Sequence, residues 1–363
     1  MAKKLSTDKT LFAVAIALLG FGQVMVWSAS SAAAQEKYGN PYHFLVRQLL
    51  CAAFGMVLLV AAMRFDYRKL NRPEVVYSFA VAATLLLVVV LFLPPVNDAR
   101  RWLRVLGISF QPSELAKFSA VLFLAYHIHR KGERINDLLL SVFPAFVFLA
   151  WLAYLIYIEP DLGTAATVVV IGAVMLFLAG LRLRYFAVLG AVSLAGLCQA
   201  ILFMPFRRER ILSYLNPFAD ARGAGYQVIQ SLIAVGTGGV TGVGLMEGRQ
   251  KLFYLPYPSS DFIYAVIAEE LGLIGALAVV VAFLLLLWRG TRAALHAPDR
   301  FGMLLAQGLT CAIVIQALTN VSVVLGLLPT KGIPLPFISA GGTSLLLTLA
   351  AMGLILSVSQ HAD

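Results

Sequence analysis

Ten apolar stretches, each close to the roughly 20 residues that carry a helix across a hydrocarbon core, dominate this chain. They lie near 11–27, 44–63, 75–94, 113–129, 138–158, 161–180, 185–205, 262–288, 302–328 and 342–360. Of the 363 residues, 60% are hydrophobic and only 13% charged, where a soluble domain carries about 25% charged residues. The expectation is an all-α polytopic membrane protein of about ten transmembrane helices, folded as a single domain over 1–363. The first stretch follows a basic MAKK and ends in the small-residue run SASSAAAQ, so a cleaved secretory signal is an alternative. Its apolar run is longer than a usual signal core, and it is read as the first span.

Charge orients the spans. Lys3, Lys4, Lys9, Arg64, Arg68, Lys69, Arg72, Arg130, Lys131, Arg134, Arg182, Arg184, Arg289, Arg292 and Arg300 fall in alternate short connections. They are more than half of the 28 basic residues, which puts both termini in the cytosol. The net charge of +10 therefore reads as loop charge beside anionic lipid, not as a nucleic-acid surface. Cys51, Cys198 and Cys311 sit far apart in apolar runs and suggest no metal site. His127 and His129 fall beside Arg130 and Lys131 at a solvated interface.

The outward-facing basic residues run against that orientation. Arg100, Arg101 and Arg104 share one outer loop, Lys117 follows just inside the next span, Arg207, Arg208 and Arg210 open another loop, and Lys331 lies in the last. Lipid headgroups account for some of them, and a bound diphosphate is the other use. The connection between spans seven and eight, about 206–260, is too long for a simple linker. Its GYQVIQSLIAVGTGG predicts a half-buried helix followed by a turn.

Three carboxylates enter an apolar run in LPYPSSDFIYAVIAEELGLIG, residues 255–275. Ser259 and Ser260 are candidate N-caps, which places Asp261 in the first turn of a helix. In a continuous helix Glu269 lies about 12 Å deeper on the same broad face, and Glu270 points elsewhere. Asp261 is thus either a helix-capping charge or a partly desolvated general base. In QPSELAKF, Ser113 is a candidate N-cap, and Glu114 and Lys117 are i, i+3 neighbours that suit a local ion pair or a phosphate site. In IEPDLGTA, Asp161 caps the next helix or joins a site. From Asn320 to Ser344, Pro329, Pro334, Pro336, Gly332, Gly341 and Gly342 make non-helical backbone at membrane depth, which is tolerated only against protein or a wet cavity. The Gly341–Gly342 amides serve either an anion nest or a tight helix entry.

That last loop resembles the signature of the SEDS family (shape, elongation, division and sporulation proteins), through Asn320, Gly326, Pro329, Gly332, Pro334, Pro336, Ser339, Gly341, Gly342, Thr343 and Ser344. VMVWSASS, NDARRW, QPSELAKF, EPDLGTA, GYQVIQSLIAVGTGG and DFIYAVIAEELGLIG are similar to family blocks, in family order. VMVWSASS and GLLPTKGIPLPF are more similar to the division branch than to the elongation branch. Asp98, Glu159 and Ala340 depart from the family's usual Gly, Gln and Tyr.

The resemblance implies a ten-span glycosyltransferase of the bacterial cytoplasmic (inner) membrane, acting at the division septum. It would polymerise lipid II into glycan strands alongside a class B penicillin-binding protein and divisome or elongasome membrane proteins. It carries the essential aspartate to Asp261, and the basic and acidic block positions to Arg101, Glu114 and Lys117. Asp161, Glu269, Lys331 and Ser339 complete the expected substrate-binding set. No cofactor is required by these residues, and a divalent cation at the diphosphate is compatible with them. A lipid II flippase is the rival from another class, and a non-catalytic scaffold for a transpeptidase is the third reading. A flippase should carry charge through the midplane, whereas here unexplained charge gathers at the outer face, with Glu269 and Glu270 as partial exceptions.

Overall fold

The computed structural model describes residues 7–94, 100–105, 108–203, 205–223 and 225–361. Asp98, Lys3 and Lys4 lie outside the described residues, as do the side chains of Arg104 and Arg207. Helices account for nearly all regular structure: α1 (Lys9–Tyr38), α2 (His43–Arg64), α3 (Pro73–Leu91), α4 (Pro112–Lys131), α5 (Phe143–Ile158), α6 (Leu162–Leu178) and α7 (Leu183–Phe203) come first. They are followed by α8 (Pro205–Leu215), α9 (Tyr226–Gly238), α10 (Ile263–Leu295), α11 (Arg300–Val324) and α12 (Gly342–Gln360). A hairpin of β1 (Leu103–Val105) and β2 (Ile108–Phe110), antiparallel with Arg104 opposite Ser109, is an addition to the all-α expectation.

Ten of these helices coincide with the ten apolar stretches. Among the described residues, seven helical segments are long and apolar enough to cross a membrane, and α6 and the first part of α7 are shorter apolar helices. The remaining one, α4, carries Glu114 and Lys117 inside its first turns. It can do so because it is central: nearly every residue from Pro112 to Ile128 is buried. By contrast, α2 and α3 bury one narrow face each and present Leu50, Phe54, Val57, Val81 and Leu85 outward, as lipid-facing helices should. α1 runs unbroken through the Ala-rich stretch, with Ser28 and Ser30 buried in the bundle.

The long connection between α7 and α10 holds α8, α9 and an irregular stretch over 239–262. As expected, α9 is half-buried, through Val228, Ser231, Ala234 and Gly238. The irregular stretch does something the sequence did not suggest. It breaks α10 at Gly272, whose φ of 65° and ψ of −162° lie outside helical geometry and suit glycine. The freed backbone groups pair with the incoming chain: Val243 and Gly244 amides donate to the Glu269 and Glu270 carbonyls at 3.0 Å, and Leu273 donates to Gly239 at 2.9 Å. A broken helix at membrane depth is stable only when its groups are satisfied in this way.

That break explains the paired glutamates. The Glu269 carboxylate accepts from the Arg249 amide at 2.8 Å and the Gln250 amide at 3.2 Å. Glu270, fully buried, accepts from Ser28 Oγ at 2.7 Å, Lys251 Nζ at 2.7 Å and the Met246 amide at 3.0 Å. Together they pin the 246–251 segment to α10 and α1.

Four connections at one end of the bundle converge: the segment before α4, the α5–α6 turn, the 239–262 stretch and the α11–α12 loop. At the other end, Tyr67 donates to Asp299 at 2.5 Å, and Arg289 pairs with Asp8 at 2.7 Å.

Candidate functional site

α11 builds the site by holding the proline-rich loop in place. Asn320 Nδ2 donates to the Asp261 carbonyl at 2.8 Å and to the Ile333 carbonyl at 2.7 Å. One turn earlier, Gln316 Nε2 donates to the Pro334 carbonyl at 2.9 Å. Ser339 Oγ donates to the Ser260 carbonyl at 2.6 Å and accepts from the Leu335 amide at 2.7 Å, while the Ala340 amide reaches the Ser259 carbonyl at 2.9 Å. These bonds hold 259–261 in a turn.

Asp261 is consequently not in the first turn of a helix. α10 starts at Ile263, its N-cap is Phe262, and no side chain caps it; neither Ser259 nor Ser260 is the N-cap. The Asp261 carboxylate instead lies against the Gly332 backbone, where an added Cβ would sit 2.7 Å from Oδ2. Burial pushes the Asp261 carboxyl up to about 6; the Ser260 hydroxyl, Arg101 and Arg210 pull it back, and Asp161 adds to the rise.

Beside it, Asp161 is almost wholly buried and gathers cations and hydrogen-bond donors from four residues. Lys331 Nζ is 3.1 Å from Oδ1 and Arg101 Nη1 is 3.9 Å from Oδ2. Gln111 Nε2 donates at 3.3 Å, and Thr164 donates its amide at 3.1 Å and its hydroxyl at 2.9 Å. Asp161 is also the N-cap of α6, as expected. Burial alone would raise its carboxyl, but Lys331, Arg101 and the Thr164 amide together hold it below the usual range. Burial lowers Lys331 more than Asp161 raises it. The lysine reaches Asp161 by lying across Gly163, where a Cβ would overlap the end of its side chain. Arg210 of α8 approaches from above, donating to the Thr330 carbonyl at 3.4 Å.

A second polar group lies one layer deeper. Lys117 Nζ donates to Glu114 Oε1 at 2.7 Å and to Gln316 Oε1. All three side chains are nearly inaccessible. They line a small opening with Gln111, Gly332 and Pro334, so they touch the Asp261–Asp161 group through shared neighbours. Ser113 is not the N-cap of α4; Gln111 holds that position, Pro112 starts the helix, and Gln111 Nε2 donates to Ser113 Oγ at 2.9 Å.

Of the expected site residues, Asp261, Arg101, Asp161 and Lys331 come together, and Glu114 and Lys117 form the adjoining pair. Glu269 and Ser339 are engaged elsewhere, the first by the Arg249 and Gln250 amides and the second by the Ser260 and Leu335 backbone. Ser339 thereby holds the residue before Asp261 in place, and Glu269 anchors the 249–250 backbone. Gly341 N-caps α12 in extended geometry, so the Gly341–Gly342 pair is a helix entry. Sequence reasoning missed Gln316, which lies unmarked in an apolar span. A polar side chain four residues before Asn320 on one helical face was the available signal. Among the described residues, no three acidic, His or Cys side chains are grouped to hold a metal ion; cations face these carboxylates instead.

The sequence matches the family of FtsW, RodA and SpoVE, described as cell cycle proteins, over residues 8–363. A protein of Geobacter metallireducens named probable peptidoglycan glycosyltransferase FtsW is 43% identical over 98% of this chain and 95% of its own length. Stage V sporulation protein E of Bacillus subtilis is 42% identical, covering 99% of each. A chain from a solved peptidoglycan synthase complex, described as coordinating polymerization and crosslinking, superimposes with TM-score 0.80 at 32% identity, over 99% of this chain and 100% of that one. Thermus thermophilus RodA superimposes with TM-score 0.71 at 26% identity, over 99% of both chains. With its motifs in order, its helices in register and near-complete coverage in every comparison, the chain belongs to the FtsW, RodA and SpoVE family of cell cycle proteins, the SEDS group.

Proposed function

We propose that this protein is a peptidoglycan glycosyltransferase that polymerises lipid II at the outer face of the cytoplasmic membrane. The observation that carries the reading is the Asp261 carboxylate held against the Gly332 backbone, beside a cluster of Arg101, Arg210 and Lys331; burial raises its carboxyl to about 6. A general base works best when its pKa lies near the operating pH. Asp261 takes the proton from the 4-hydroxyl of the acceptor sugar. The freed oxygen forms a bond to the anomeric carbon of the donor, and the bond from that carbon to the diphosphate oxygen breaks. The electron pair leaves on undecaprenyl diphosphate, where Arg101, Lys331 and Arg210 meet the developing charge. Lys117 is paired with Glu114 and supports the proline-rich loop through Gln316.

The lipid tails need a lateral entry. α7 is exposed along most of its described length, which leaves apolar helix surface open to a polyprenyl chain. Positive charge in the short connections supports cytosolic termini and an outward-facing site. Likeness to a chain of a synthase complex coordinating polymerization and crosslinking supports a class B penicillin-binding protein as partner, within the divisome or the elongasome. The likenesses to FtsW and to a sporulation protein favour a septal location.

The transport reading loses its main support, because Glu269 and Glu270 are engaged by loop amides, Ser28 and Lys251. The test is purified protein, with and without the partner, supplied with lipid II. Long glycan strands are expected; translocation of lipid II across vesicle bilayers without polymer would overturn the proposal.

A further inference from the structure

Glu159 is a buried carboxyl close in sequence to Asp161 that the mechanism leaves unused. It follows the last turn of α5, its amide donating to the Leu155 carbonyl at 3.3 Å, and its side chain is fully buried. Neither carboxyl oxygen has a hydrogen-bond partner among the described residues. Two residues on, Asp161 is ion-paired with Lys331 and Arg101 and accepts hydrogen bonds from Gln111 and Thr164. A buried carboxylate with no donor is costly, and a second one beside Asp161 is costlier still, so Glu159 retains its proton. Burial, then the Asp161 charge, push its carboxyl up to about 9, with only Arg101 opposing.

The protonation state of Glu159 sets the charge balance of the cluster. Arg101, Lys331 and Arg210 stand against Asp161 and Asp261. While Glu159 is neutral, three cations face two carboxylates, and an anion is attracted. Once Glu159 ionises, the balance is three to three, and Arg101, the cation that acts on its carboxyl, is drawn back from any ligand.

We propose that Glu159 is a positioning residue that works as a neutral acid: by keeping its proton it leaves Arg101 and Lys331 free to serve Asp161 and a bound diphosphate, and losing that proton weakens the diphosphate site. The step is a deprotonation with the proton passing to water; no bond to substrate is made or broken. The inference rests on the glycosyltransferase reading for its ligand.

Lys331 is the competing explanation for any alkaline loss of binding, because burial lowers its ammonium as well. Replacing the acid by its amide separates the two. Binding of a polyprenyl diphosphate to the purified full-length protein is measured across the alkaline range for wild type and Glu159→Gln. Above a midpoint of about 9, wild-type affinity is expected to fall by up to about tenfold per pH unit, the limit for one ionisation that blocks binding. In Glu159→Gln that fall is expected to disappear or move to higher pH. An unchanged alkaline fall in the amide variant would overturn this inference and assign the titration to Lys331. Absence of diphosphate binding at every pH in both proteins would overturn the glycosyltransferase reading, and this inference with it. A ligand-free readout runs beside these. The infrared carbonyl band of a protonated carboxyl should be present at neutral pH in wild type and diminished in Glu159→Gln. An identical band in both would show that Glu159 carries no proton and overturn the inference by itself.

Discussion

Gly163→Ala is the sharpest test of how the cluster is assembled, because the perturbation is one methyl group on a residue with no chemistry of its own. An added Cβ would overlap Nζ, Cε and Cδ of Lys331. Restoring van der Waals contact moves the ammonium by about 2 Å. Its 3.1 Å contact with Asp161 then opens to about 5 Å. At an effective dielectric constant of about 20, the pair falls from about 5 to about 3 kcal/mol, a loss of about 2 kcal/mol. Alanine recovers up to about 1 kcal/mol over glycine in a helix, so global stability should change by no more than about 1 kcal/mol. If the displaced ammonium is the one that meets the leaving diphosphate, the same displacement of about 2 Å from that charge costs about 2 kcal/mol there as well and lowers the rate by about 30-fold. The assay is the initial rate of lipid II polymerisation by purified protein, with the melting temperature recorded on the same sample. Adding Lys331→Ala to Gly163→Ala should cost little more, since both remove one interaction. Wild-type activity in Gly163→Ala would refute the placement or the role of Lys331.

Other consequences can be measured in the same preparation. Asp261 works only when ionised and its carboxyl is raised to about 6. The rate should therefore fall as pH drops through about 6, by tenfold per unit below it, where an unperturbed aspartate would hold the rate level to about pH 4. Gly332→Ala brings a methyl group to 2.7 Å from Asp261 Oδ2; a carboxylate moved by about 1 Å should cost about 100-fold in rate, with melting little changed. Lys251→Met leaves Glu270 buried without its cation and should destabilise the protein by about 3–5 kcal/mol in thermal unfolding, with partial recovery when Glu270→Gln is added.

The helices were legible because hydrocarbon forces them to be: a stretch that must satisfy its own backbone over about 30 Å declares itself in composition. Asp161 at the start of α6 and the Glu114–Lys117 pair were legible for a similar reason, since both are local along the chain. The misplacements have long-range causes. Asp261 was expected inside α10, yet Asn320 holds its carbonyl and Ser339 holds that of Ser260, so the turn cannot wind into helix. Glu270 was left without a role because its partners, Ser28 and Lys251, lie on another span and in a loop that enters the broken helix. Periodicity along α10 stops applying at Gly272. The Lys331–Asp161 pair joins residues from distant parts of the chain, and no spacing rule reaches that far.

The central claim is that Asp261 removes the proton that starts glycan bond formation. It is tested most directly by the initial rate of lipid II polymerisation with purified Asp261→Ala and wild-type proteins, each shown to be folded by melting temperature and to bind a polyprenyl diphosphate. The account predicts that Asp261→Ala binds the diphosphate and polymerises at a rate at least about 100-fold below wild type. Polymerisation by folded Asp261→Ala at the wild-type rate would contradict it.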